Sequence, residues 1–106
     1  MNKIDFKPQD INFRGQTAGN DGIVSKQVEH EFDTKVISAE VVIKAFSLIH
    51  KLRDNHFDAG GAEIINVAID GDKVQCTARL RLVDNNQNTL DPEQVTMSIV
   101  YLVECE

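Results

Sequence analysis

A chain of 106 residues holds one core of ordinary domain size, which excludes a catalytic domain joined to a separate substrate domain. With 17 Asp and Glu against 11 Lys and Arg, the net charge of −6 argues against nucleic acid and anionic membrane as partners. No run approaches the roughly 18 apolar residues of a membrane helix, the start lacks the apolar stretch of a signal peptide, and Cys76 and Cys105 have no CxxC spacing, so a cytoplasmic protein with reduced thiols is expected.

Residues 1–15 contain a doubled unit: Ile4-Asp5-Phe6-Lys7 returns seven positions later as Ile11-Asn12-Phe13-Arg14. In an extended chain Ile4 and Phe6 share one side, and so do Ile11 and Phe13. Pro8 keeps the stretch out of a sheet centre. It reads as an extended N-terminal arm, packed on its own sheet, swapped onto a neighbour, or docked on another protein. Residues 16–22, "QTAGNDG", form a flexible joint by their glycines, Asn20 and Asp21. Residues 23–106 are then one α+β domain.

Within it, "IVSKQVEHEF" reads as a strand, with a helix as the alternative, since Val24, Val28 and Phe32 fit both periods. A helix is predicted over 39–54. Ser38 suits an N-cap, Glu40 suits the first turn, and Lys51 and Arg53 suit the last. Val42, Ala45, Phe46, Ile49 and Leu52 make an apolar stripe. After the loop "DNHFDAGG", the strand "EIINVAID" turns at Asp70-Gly71-Asp72 into "KVQCTARLRLVD", which alternates Val74, Cys76, Ala78, Leu80 and Leu82 with polar residues. The connection "NNQNTLDPE" leads to "VTMSIVYLVE", with Val95, Met97, Ile99, Tyr101 and Val103 on one face. The expected architecture is β-α-β-β-β: an antiparallel sheet with one long helix on one face.

That helix leaves the second sheet face with a surplus of apolar groups, Ile64, Ala68, Val83, Val100 and Leu102. The predicted contact residues between chains are Ile4, Phe6, Ile11 and Phe13 of the arm with Ile64, Val83, Val100 and Leu102 of the face.

Chemistry is sparse. His30, His50 and His56 have no metal-ligand spacing, so neither a metal nor a cofactor is expected. Asp54, His56 and Asp58 could form an acid–base cluster, although Asp and Asn side chains with paired glycines also simply build a loop. Arg79 and Arg81 could grip an anionic ligand, but pairing with acids across the sheet is the simpler expectation. Cys76 falls on the apolar face of its strand and reads as a core residue.

These features point first to a non-enzymatic acidic module for protein binding or assembly, forming a homo-oligomer, most simply a dimer, through the second face and the arm. The alternative is a small-molecule-binding protein or enzyme with a pocket between helix and sheet near His56. A second alternative is an acidic decoy that occupies a nucleic-acid-binding protein.

Overall fold

The structure is a computed structural model. It describes residues 2–19, 21–48, 57–84 and 90–106, with the backbone alone at 57–59 and 83–84. Six strands appear in chain order: β1 (Lys3–Asn12), β2 (Ile23–Glu31), β3 (Val36–Phe46), β4 (Phe57–Asp70), β5 (Lys73–Asp84) and β6 (Thr96–Cys105). They form two three-stranded antiparallel sheets, β1-β6-β3 and β2-β5-β4. The architecture is all-β, and no helix occurs among the described residues.

The expected α+β class is therefore corrected, and the correction centres on β3. Residues 36–46, "VISAEVVIKAF", include Val36, Ile37, Val41, Val42 and Ile43, whose branching at Cβ favours a pleated strand over a helical turn. The apolar positions that made a helical stripe also satisfy alternation. Ala39, Val41 and Ile43 turn toward the core, half-buried, while Ser38, Glu40 and Val42 face outward. The rest of the predicted helix, 49–54, lies outside the described residues.

The two alternating stretches behave as their pattern requires. Val74, Cys76, Ala78, Leu80 and Leu82 of β5 meet Met97, Ile99, Tyr101 and Val103 of β6 in the single core. The predicted three-strand meander breaks after β5. β4 and β5 are a hairpin, but β6 crosses to the other sheet, where it lies between β1 and β3. The hairpin turn needs Gly71, whose φ of +63° at the first central position is the requirement of a type II′ turn. The same turn ties the sheets together, because Phe32 N donates to Asp72 O at 2.7 Å and Val36 N to Gly71 O at 2.9 Å.

Seven is an odd spacing, so within one continuous strand the two halves of the doubled unit must face opposite ways. The structure has this arrangement: Ile4 and Phe6 are 65% and 63% exposed on the outer face, whereas Ile11 and Phe13 are 1% and 0% exposed in the core. Pro8 is accommodated because β1 is an edge strand.

Candidate functional site

The register of the β1-β6-β3 sheet sets out its outer face row by row. Ser38, Glu104 and Ile4 stand in line; then Glu40, Leu102 and Phe6; then Val42, Val100 and Pro8; then Ala45, Ser98 and Asp10. The middle of this face is a contiguous apolar block of Ile4, Phe6, Pro8, Val42, Val100 and Leu102. A shallow groove of about 310 Å³ over the first two rows is lined by Ile4, Leu102, Ser38, Glu40 and Glu104.

The outer face of the β2-β5-β4 sheet is built differently. Ser25, Gln27 and Glu29 of β2 lie beside Arg79, Thr77 and Gln75 of β5. Gln27 Nε2 donates to Gln75 Oε1 at 3.2 Å, and Arg79 pairs with Glu63 across the sheet at 3.1 Å. Among the described residues, the exposed large hydrophobics are Ile4 and Phe6 on β1, Ile37, Val42 and Phe46 on β3, and Val67 and Ile69 on β4. None falls on β2 or β5.

Of the predicted contact residues, the structure brings Ile4, Phe6, Val100 and Leu102 together on one face. Ile11 and Phe13 belong to the core. Ile64 stands opposite buried Ala78 and packs half-buried against the core. Val83 lies in β5 with its side chain outside the described part. The arm thus extends the second face sideways instead of lying over it.

β3 takes up the first part of the predicted helix, 39–46, so the expected pocket between helix and sheet has no helix among the described residues. His56 and Asp54 lie outside the described residues; Asp58 falls in β4, again without its side chain. Both candidate arginines have structural partners: Arg79 has Glu63, and Arg81 Nε donates to the Asp21 carbonyl at 2.9 Å. They border a cleft of about 300 Å³ with Gly60, Gly61 and Ile23. No group of three metal-ligating side chains occurs among the described residues, and no helix there is long and apolar enough to cross a membrane.

The interior holds the most constrained polar group. Tyr101 is fully buried, and its hydroxyl donates to Gln9 Oε1 at 2.7 Å beside Cys76. Burial pushes the Cys76 thiol up despite its hydrogen bond with Tyr101. Burial, and then the neighbouring Cys76, pushes the Tyr101 hydroxyl up as well. Both stay protonated at neutral pH, so Cys76 is no thiolate nucleophile. His30 leans on Phe32 at 4.7 Å between ring centroids, within the same aromatic cluster.

Sequence reasoning missed Glu40, Ser38 and Val42 as residues of the face, because the helical reading gave them other roles. The alternation Ser38-Glu40-Val42 against Ala39-Val41-Ile43 was the signal that could have found them. No family model, curated protein or solved structure matches this chain.

Proposed function

We propose that the protein is a non-catalytic binding module whose working surface is the outer face of the β1-β6-β3 sheet. The observation that carries this reading is the contrast between the two outer faces of one sandwich. One carries amides, hydroxyls and an ion pair across β2 and β5, with apolar Ile65 and the exposed Val67 and Ile69 confined to β4; the other keeps Ile4, Phe6 and Val42 exposed around Val100 and Leu102. Contiguous apolar surface of a few hundred Å² is characteristic of contact sites. At roughly 25 cal/mol per Å² of apolar area, covering such a patch is worth several kcal/mol.

Partner capture tests the reading. Tagged protein is recovered from the cells that express it, beside a Phe6→Ser/Leu102→Ser variant of the apolar face and a Gln27→Ser/Thr77→Ser variant of the polar face. Partners retained by the second variant and lost from the first support the assignment. Equal recovery by both variants contradicts it.

A further inference from the structure

The apolar block of the β1-β6-β3 sheet is bordered mostly by negative charge. Glu104, Glu40 and Asp10 occupy three of its four rows, and Lys44, the extra residue of the β3 bulge, is the one cation beside them among the described residues. Asp10 is engaged, accepting a hydrogen bond from Ser98 Oγ at 2.8 Å. Glu40 and Glu104 pair with no cation among the described residues; the ion pair there is Arg79–Glu63, on the other sheet. As diagonal neighbours across β3 and β6, the two carboxylates stand roughly 7–8 Å apart at the backbone. Both line the groove, together with Ile4 and Leu102.

The middle of the β1 edge beside this face is poorly suited to strand addition. Phe6 N–H is taken by Asp5 Oδ1 at 2.9 Å, and Pro8, of the same parity along β1, has no N–H to offer. A second copy of the chain would bring the same carboxylates to the same border, where like charges at a desolvating contact oppose association. The opposite charge is complementary.

We infer that this face takes a segment of another protein that carries apolar side chains beside lysine or arginine. Its apolar groups cover Phe6, Val100 and Leu102, and its cation sits between Glu40 and Glu104. The inference rests on the binding-module reading above and adds the chemistry of the partner.

The test uses the full chain, isotope-labelled, with two short peptides of equal length as probes: one alternates valine with lysine, the other valine with glutamate. The lysine peptide is expected to shift backbone amides of β1, β3 and β6, and the glutamate peptide to leave them in place. Glu40→Gln with Glu104→Gln should weaken the lysine peptide about tenfold, and added salt should weaken it in the parent more than in the variant. Equal binding of both peptides overturns the charge assignment while leaving the face as a contact surface. Absence of shifts with the lysine peptide also overturns it, and self-association abolished by Leu102→Ser would then identify a second copy as the occupant. Shifts confined to the Gln27, Thr77 and Arg79 face overturn both the inference and the reading beneath it.

Discussion

Phe6 of β1 stands directly opposite Leu102 of β6, side by side on the outer face of one sheet. The first half of the doubled N-terminal unit therefore enlarges the apolar face, while the second half, Ile11 and Phe13, anchors the strand in the core. The two phenylalanines should behave oppositely on substitution. Phe6→Ser, on a side chain already 63% exposed, should cost less than about 1 kcal/mol. Phe13→Ser should cost at least about 3–5 kcal/mol, a large share of a small domain's stability. Urea unfolding of the two variants measures this, and equal losses would mean that the halves do not face opposite ways.

Tyr101→Phe removes one hydroxyl from the middle of the core. Gln9 then loses the donor at 2.7 Å, and Cys76 loses a polar neighbour. A loss of about 1–2 kcal/mol is expected. Unchanged stability in denaturant would show that this hydrogen bond contributes nothing.

The same pair sets the alkaline limit. The ordinary values are 9.0 for the Cys76 thiol and 10.0 for the Tyr101 hydroxyl, and burial raises both in the folded chain. As pH rises above about 9 the unfolded chain releases these protons first, so it binds fewer protons than the folded chain and stability falls. Below that pH both states hold them and the contribution is complete. Urea midpoints should decline above about pH 9, and a Cys76→Ala/Tyr101→Phe variant should decline less steeply. Parallel curves would contradict this origin.

Asn66 has a φ of +56° where β4 shifts register between Ile65 and Ala68. Asparagine tolerates this left-handed backbone and glycine adopts it freely, but a β-branched residue does not. Asn66→Gly should be neutral within a few tenths of a kcal/mol, and Asn66→Val should cost about 1–2 kcal/mol. Thermal melts of both check the bulge; equal behaviour would place Asn66 in ordinary strand geometry.

What could be read from residues alone followed from how local the signal was. β5 and β6 were legible because Val74 to Leu82 and Val95 to Val103 alternate strictly, and the β4–β5 hairpin was legible because its turn chemistry is Gly71 itself. β3 was misread because Val42, Ala45 and Phe46 fit a helical stripe, and Ser38 and Glu40 mimic a cap and a first turn. Sheet assignment was beyond local reasoning: Lys3 pairs with Cys105, and nothing near either residue specifies that ladder. The apolar surplus of Val100 and Leu102 was legible from their parity. That Ile4 and Phe6 lie beside them depended on the same non-local pairing, although the odd spacing within the doubled unit already required its halves to face apart in one strand.

Side-chain footprinting, with carbene labelling of the purified protein compared with the protein in extract of the cells that express it, tests the central claim most directly. The account predicts strong labelling of Ile4, Phe6, Val42, Val100 and Leu102 in the pure protein and their selective protection in extract, with Gln27, Thr77 and Arg79 labelled equally in both. Equal labelling of the apolar face in the two samples, or protection confined to the polar face, would contradict it.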